Sequence, residues 1–96
     1  MSYKSNIKTV QGSNKKNLML FTLSTCIWCR KTKELLNNLK VAYQYVDVDL
    51  LNQADQEEAY IEMKKYKSES FPTIIFNDGE DVIIGYEEED IKGLCA

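Results

Sequence analysis

A chain of 96 residues forms one compact domain, and its 44% hydrophobic and 28% charged residues are typical of a globular protein rather than a disordered or fibrous one. The formal net charge of −3 argues against nucleic acid and anionic membranes as partners. No segment is long and apolar enough to span a bilayer, and residues 1–16 lack the apolar core of a secretory signal. We therefore expect one cytoplasmic domain over residues 1–96.

The first half of the chain predicts two strands and a helix. Residues 7–11 are a candidate edge strand, so residues 1–16 form either an N-terminal extension or an edge of the sheet. Residues 17–23 are apolar nearly throughout, which is typical of a central strand. Ser24 and Thr25 then offer capping hydroxyls for a helix. Helical spacing predicts its inner face, which comprises Trp28, Leu35, Leu36 and Leu39 with Thr32 between them.

The second half predicts a strand, a helix, a hairpin and a last helix. Residues 41–49 alternate in polarity and are rich in β-branched and aromatic side chains, as in a strand. A polar, acidic helix follows over about residues 53–66. Asn77-Asp78-Gly79 is a strong hairpin motif between two further strands, and a short helix ends the chain. These last elements cover residues 73–76, 81–84 and 87–94.

The order of these elements predicts an α/β fold. A strand–helix–strand unit places two strands parallel, whereas a hairpin adds an antiparallel pair. We therefore expect a central mixed four-stranded sheet flanked by three helices, with residues 7–11 as an extra edge strand.

Cys26 and Cys29 lie where the predicted central strand ends and a helix begins. A helix start offers unpaired N–H groups and partial positive charge, and Arg30, Lys31 and Lys33 add cationic charge. Such surroundings lower the pKa of a cysteine from about 8.5 to about 3.5–7.5, and Cys26 should feel this most. Cys29, one turn later, is expected to be more buried. The i, i+3 spacing is also compatible with a disulfide between them.

This arrangement predicts a redox-active disulfide, in which Cys26 attacks a target disulfide and Cys29 resolves the mixed disulfide. Two alternatives stay open: a module in which two chains share a metal ion or iron–sulfur cluster through the pair, and a redox sensor that switches binding to another protein. A metal site within one chain is not expected, because there is no histidine and only one further cysteine. That cysteine, Cys95, is interpreted as a spectator thiol on a frayed tail.

Four segments around this motif resemble the glutaredoxins of the thioredoxin superfamily in order and approximate spacing. They are "LFTLSTCIWCRKTKELL", "YQYVDVD", "FPTIIFNDG" and "IIGYEEEDI". The resemblance covers about residues 17–94 and implies a thioredoxin-like fold, a cis Phe71–Pro72 peptide, and electron transport to disulfides with no bound cofactor. It also implies that substrate contacts surround Cys26, involving Thr25, Ile27, Trp28, Arg30, Phe71, Pro72, Gly85 and Tyr86.

Several positions depart from the glutathione-dependent members of that family. Ile27-Trp28 stands where those proteins have Pro-Tyr, Leu23 where a glutathione-binding lysine is common, and a single Gly85 where Gly-Gly is usual. The chain is more similar to glutaredoxin-like proteins that supply electrons to ribonucleotide reductase. The resemblance therefore implies a protein disulfide as substrate, ribonucleotide reductase among the candidates, and a flavoprotein of the thioredoxin-reductase type as reductant. Glutathione stays open as reductant because Arg30 could replace the lysine, and we expect a monomer.

Two acidic groups have a structural interpretation. Asp47 and Asp49, at the end of the predicted strand 41–49, are interpreted as turn and helix-cap residues, with Asp47 as a proton acceptor for Cys29 the alternative. The acidic residues 87–90 are interpreted as a solvated helix start, where carboxylates suit the helix dipole, with a partner-binding surface as the alternative.

Overall fold

The structure is a computed structural model that describes residues 3–13 and 16–95. Within these residues the strands are β1 (Lys8–Val10), β2 (Leu18–Thr22), β3 (Tyr43–Asp47), β4 (Thr73–Phe76) and β5 (Asp81–Ile84). The α-helices are α1 (Ile27–Asn38), α2 (Gln53–Lys65) and α3 (Glu88–Cys95). Short 3-10 helices cover Tyr3–Asn6, Val48–Leu50 and Asn77–Gly79. None of the helices in the described ranges is long and apolar enough to cross a membrane.

The strands form one mixed sheet in the order β1-β3-β2-β4-β5. β2 runs parallel to β3, and every other neighbouring pair in this sheet is antiparallel. The predicted mixed sheet with three helices is confirmed, and the N-terminal segment supplies the fifth, edge strand. Because β2 lies in the middle, both of its faces are covered, which explains the nearly continuous apolar sequence.

Side chains alternate across the sheet and divide the core into two clusters. Leu20 of β2 packs on one face with Leu36 of α1 and Ile91 of α3. Phe21, the next residue, packs on the other face, where Met63 of α2 covers it. Burial of each such side chain contributes about 1.5–3 kcal/mol to the stability of the fold. The two clusters therefore hold β2, and with it the residue at which β2 ends, in a fixed place.

The N-terminal residues are integrated into the domain. Tyr3 is buried and its ring lies 5.7 Å from the ring of Phe21. Gly12 runs so close to Val41 that a Cβ built on it would lie 2.5 Å from the Val41 carbonyl carbon, so a side chain would clash there. Ser13 pairs with Val41 in an isolated bridge. The sequence Gly12-Ser13-Asn14 also predicts a turn, of which Asn14 lies outside the described residues.

The predicted hairpin at Asn77-Asp78-Gly79 is confirmed, since it joins the antiparallel strands β4 and β5. Its three residues have positive φ angles of 48°, 59° and 115°, a backbone shape that asparagine, aspartate and glycine adopt most readily. Gly79 also packs against Tyr66, whose ring would lie 2.7 Å from an added Cβ.

Two predictions at element ends were wrong. The strand predicted at 41–49 covers only Tyr43–Asp47, because the chain then turns into a 3-10 helix that buries Val48. Cys95 does not lie on a frayed tail. It is the last residue of α3 and packs, half-buried, against the core cluster of that helix.

Candidate functional site

Cys26 occupies the N-cap position of α1, directly after the loop that follows β2. Its Sγ accepts a hydrogen bond from the backbone N–H of Cys29 at 3.2 Å. Ser24 and Thr25, predicted to cap this helix, do not cap it, because the chain continues beyond them before the helix begins. Cys26 is partly exposed, whereas Cys29 is 1% exposed. One sulfur therefore faces solvent at the helix start, and the second lies behind it.

Ser24 instead connects the cysteine loop to the 3-10 helix that follows β3. Its N–H donates to Asp49 at 2.8 Å, and its hydroxyl donates to the other carboxylate oxygen. Burial alone would raise the pKa of Asp49, but these hydrogen bonds outweigh it and hold the pKa below its ordinary value. The prediction of Asp49 as a helix cap was wrong, since Asn52 caps α2 by accepting the Asp55 N–H at 2.8 Å.

Cys29 is held as a neutral thiol. Burial, followed by a hydrogen bond with the Cys26 side chain, raises the pKa of Cys29 from 9.0 to about 12. A backbone hydrogen bond at Leu23 and the positive charge of Lys33 act in the opposite direction. The two cysteines thus differ in burial and environment, as the sequence predicted from their positions.

Asp47 lies at the end of β3, opposite Thr22 in the parallel β2–β3 pair. The buried Thr22 hydroxyl lies 2.6 Å from Asp47 Oδ1, and Lys33 Nζ lies 3.4 Å from the same oxygen. Asp47 occupies the N-cap position of the 3-10 helix Val48–Leu50, in line with the first interpretation, but its side chain makes no capping hydrogen bond and binds Thr22 and Lys33 instead.

An aromatic stack borders Cys26. Trp28 is 52% exposed and stacks on Tyr86, with ring centroids 5.7 Å apart and 26° between the planes. Trp28 and Leu39 were predicted on the inner face of α1, but both are exposed, since they lie near the two ends of the helix where it extends beyond the core. A shallow pocket of about 180 Å³ is lined by Trp28, Phe71, Gly85 and Tyr86. The structure thus brings together four of the predicted substrate-contacting residues.

The segment before β4 supplies one wall of that pocket. The Phe71–Pro72 peptide bond is cis, and the Pro72 carbonyl accepts the Gly85 N–H at 2.7 Å. Phe71 is half-buried and meets the ring of Tyr60 edge-on, at 6.0 Å between centroids.

Comparison with known proteins decides the family. A family model described as Glutaredoxin matches residues 18–82, which include both cysteines and Pro72. The chain belongs to the glutaredoxin family.

Individual relatives agree with this assignment. The glutaredoxin of Methanosarcina mazei Go1 is 40% identical with a TM-score of 0.84, over 95% of this chain and 88% of that one. Methanoredoxin of Methanosarcina acetivorans is 40% identical with a TM-score of 0.83, over 88% and 90% of the two chains. An uncharacterized glutaredoxin-like 8.6 kDa protein in a rubredoxin operon of Clostridium pasteurianum is 30% identical over 77 residues, 80% of this chain and 95% of that protein. The fold is therefore thioredoxin-like, and the family together with the CxxC pair supports thiol–disulfide oxidoreductase chemistry.

Three predicted residues of this glutaredoxin lie on its open surface beside the cysteines. Thr25 and Arg30 are exposed, and Ile27 is 57% exposed. Arg30 is linked to Cys26 through its backbone, where its N–H donates to the Cys26 carbonyl at 3.1 Å. No group of three or more metal-ligating side chains converges anywhere in the described parts of the chain.

Sequence reasoning missed a buried hydroxyl cluster that supports Phe71. Thr73 Oγ1 lies 2.6 Å from both the Ser68 hydroxyl and the Ser70 carbonyl oxygen. Ser68 and Thr73 are both buried. Because Thr73 donates its one hydroxyl hydrogen to Ser70, the Ser68 hydroxyl donates to Thr73, which closes the loop before Pro72. In the sequence, "KSESFP" carries no pattern that separates these buried hydroxyls from ordinary loop residues.

Proposed function

We propose that this glutaredoxin reduces protein disulfides and so acts as an electron carrier with a redox-active Cys26–Cys29 pair. In the first step Cys26 thiolate attacks one sulfur of the target, the target S–S bond breaks, and the released thiolate takes a proton from water. In the second step Cys29 loses its proton and attacks Cys26 Sγ. The second target thiolate leaves, and the protein keeps a disulfide in place of two thiols.

The position of Cys26 supports its role as the attacking group. Its sulfur is partly exposed and lies at the N-terminus of α1, where the dipole and the Cys29 N–H favour negative charge. A thiolate is the nucleophile in disulfide exchange, so this is the sulfur that meets the target.

The surroundings of Cys29 support its role as the resolving group. Two of the causes that raise its pKa, the hydrogen bond with Cys26 and the charge of Cys26, depend on Cys26 being a free sulfur. Both are lost or weakened when Cys26 is bound in a mixed disulfide. Capture of a target thus removes these two contributions to the raised pKa of Cys29, while burial, the largest cause, remains.

The aromatic surface supports a protein as substrate. The pocket lined by Trp28, Phe71, Gly85 and Tyr86 is shallow and open, which suits an apolar side chain next to the target cysteine. Aromatic residues with exposed faces are also favoured anchors in protein interfaces. Ribonucleotide reductase, an acceptor that the family resemblance implies, is the first such protein disulfide to test.

The surroundings of Leu23 favour a flavoprotein reductant over glutathione. Leu23 packs, half-buried, against the core cluster covered by α2, so this position offers no cation to a glutathione carboxylate. Arg30, in the first turn of α1, is exposed and is the side chain that would have to replace the missing cation. A charge-assisted contact of that kind is worth about 1.5–3 kcal/mol, or roughly one to two decades of affinity. We therefore propose a reductase of the thioredoxin-reductase type as the electron donor.

Insulin reduction with dithiothreitol as donor tests the proposed function. Cys26→Ser should abolish turnover, and Cys29→Ser should accumulate a mixed disulfide between Cys26 and the target. Cys95→Ser is the matched control and should keep full turnover. Absence of turnover by the unaltered protein, or trapping by Cys26→Ser instead of Cys29→Ser, would overturn the proposal. Parallel assays with NADPH and either a thioredoxin reductase or glutathione plus its reductase then identify the donor class.

A further inference from the structure

Lys33 lies one helical turn after Cys29 on α1. Residues four apart on a helix share a face, and long helical side chains lean toward the helix N-terminus. Lys33 therefore extends in the direction of Cys29, and its charge is among the groups that act on that thiol. Its side chain is 23% exposed, in contrast to the exposed neighbours Arg30 and Lys31.

The ammonium group of Lys33 is held by two residues of β3. Its Nζ lies 3.4 Å from Asp47 Oδ1 and 3.9 Å from the ring centroid of Tyr45. The Asp47 carboxylate is itself fixed by the Thr22 hydroxyl at 2.6 Å. A lysine with two partners on the sheet has little freedom to turn into solvent, so its charge stays at the end of β3, between the sheet and α1.

The resolving step forms a thiolate at Cys29 that a nearby positive charge would stabilise. Cys29 is 1% exposed, so water cannot solvate its thiolate, and a buried anion without a counter-charge is costly. A backbone hydrogen bond at Leu23 and the positive charge of Lys33 both lower the pKa of Cys29.

We propose that Lys33, fixed by Asp47 and Tyr45, is a positioning residue that stabilises the Cys29 thiolate during resolution of the mixed disulfide. This inference rests on the proposed function. The Cys29 proton leaves for solvent, the thiolate attacks Cys26 Sγ, and the target thiolate departs. Lys33 keeps its own proton throughout, because it acts through its field and not as an acid.

The pH dependence of that step is set by the charged groups around Cys29 and Lys33. The charged groups that act on Cys29 are Cys26 in the loop and Lys33 on the same helix. Lys33 in turn contacts Asp47 and Tyr45 of β3, and its charge lowers the pKa of Asp49. Resolution requires Cys29 to lose its proton, so its pH profile follows the titration of Cys29.

Reaction with dithionitrobenzoate in a stopped-flow instrument separates the two steps, in a Cys95→Ser background. Attack by Cys26 releases one equivalent of thionitrobenzoate, and resolution by Cys29 releases a second. Lys33→Met keeps the apolar stem but removes the charge. It should slow the second phase roughly tenfold at pH 7 and shift its pH profile up by about one unit, with the first phase unchanged. Lys33→Arg should restore the second phase.

Lys64→Met, which removes an exposed lysine from α2, is the control and should leave both phases unchanged. Circular dichroism at the assay temperature confirms that each variant is folded. If Lys33→Met leaves the second phase unchanged, or Lys33→Arg fails to restore a folded variant, the role of Lys33 is wrong. If the unaltered chain releases only one equivalent, the resolving role of Cys29 fails instead, which is a failure of the proposed function.

Discussion

The backbone N–H of Cys29 donates to Cys26 Sγ at 3.2 Å, so the sulfur proposed to attack substrates is also the cap of α1. Serine at position 26 can accept the same hydrogen bond, whereas alanine cannot. We expect Cys26→Ala to lower the free energy of unfolding by about 1 kcal/mol relative to Cys26→Ser, the usual cost of losing an N-cap. Urea denaturation of the two inactive variants under reducing conditions measures this difference.

Thr25→Ala is the control for that comparison, since Thr25 was the residue expected to cap the helix and its side chain is exposed. Its free energy of unfolding should match that of the unaltered protein within about 0.5 kcal/mol. Equal stability of the alanine and serine variants at position 26, or a larger loss in Thr25→Ala, would contradict the cap that the structure assigns.

The fold could be predicted because the apolar pattern has the right period in each element. The run at residues 17–23 needs cover on both faces, which fits a strand in the middle of a sheet, although periodicity alone does not exclude a buried helix. The helix cap could not be predicted in the same way. Ser24, Thr25 and Cys26 are consecutive, and a shift of one or two residues in the helix start changes which of them is the cap.

The buried polar contacts could not be predicted either, because they join distant parts of the chain. Thr22 and Asp47 are 25 positions apart, and their hydrogen bond depends on the register of β2 against β3. The prediction that Trp28 lies on the inner face of α1 was wrong for a different reason. Helical spacing gives the direction of a side chain but not whether the helix has yet reached the core at that residue.

The stack of Trp28 on Tyr86 leads to a prediction about substrates. Replacing either ring by alanine removes apolar contact area from the proposed protein-binding surface but leaves both sulfurs in place. We expect kcat/KM for insulin to fall about 3- to 10-fold, as the loss of about 0.5–1.5 kcal/mol of aromatic contact implies. The rate with hydroxyethyl disulfide should be unchanged, because so small a substrate does not reach the rings.

The matched control for these variants is Ile61→Ala on α2, which removes an apolar side chain that is 61% exposed and lies outside the pocket. It should affect neither substrate. Equal losses with insulin and hydroxyethyl disulfide in Trp28→Ala or Tyr86→Ala would mean that the rings act on the sulfurs and not on the protein substrate.

The raised pKa of Cys29 predicts a loss of stability in alkali. The unfolded chain loses this proton near pH 9, whereas the folded reduced protein keeps it until a pKa of about 12. The stabilising contribution is therefore complete below pH 9 and is lost as the pH rises toward 12, at up to about 1.4 kcal/mol per pH unit. Cys29→Ser should lack this part of the slope. Urea unfolding between about pH 8 and 11 measures it, with a reductant present.

Other groups with raised pKa values also titrate in alkali, and they must be the same in both proteins. Burial raises the pKa of Tyr3 to about 12, and burial also raises the pKa of Cys95. The comparison is therefore made in a Cys95→Ser background with Tyr3 retained. Parallel stability curves for the two proteins would show that the folded state does not hold the Cys29 proton.

The hydroxyl of Ser68 donates to Thr73 Oγ1 at 2.6 Å, and this buried contact supports the loop that carries Phe71. Ser68→Ala leaves the Thr73 oxygen without its donor, so we expect a loss of about 1–3 kcal/mol in the free energy of unfolding. Thr73→Ser should be milder than Thr73→Val, because serine keeps the hydroxyl. Urea denaturation gives the energies, and hydrogen exchange of residues 68–72 reports the loosening of the loop.

Ser70→Ala is the control for Ser68→Ala, because it removes a serine side chain from the same loop but not from the buried hydroxyl cluster. Ser70 takes part through its backbone, whose carbonyl accepts from Thr73 at 2.6 Å, and its side chain is exposed. Loss of the Ser70 side chain should therefore change the free energy of unfolding by less than about 0.5 kcal/mol. Because Phe71 forms a wall of the proposed substrate pocket, Ser68→Ala should also raise KM for insulin, and Ser70→Ala should not. A Ser68→Ala protein as stable as Ser70→Ala, with unchanged exchange in the loop, would show that the cluster does not hold Phe71 in place.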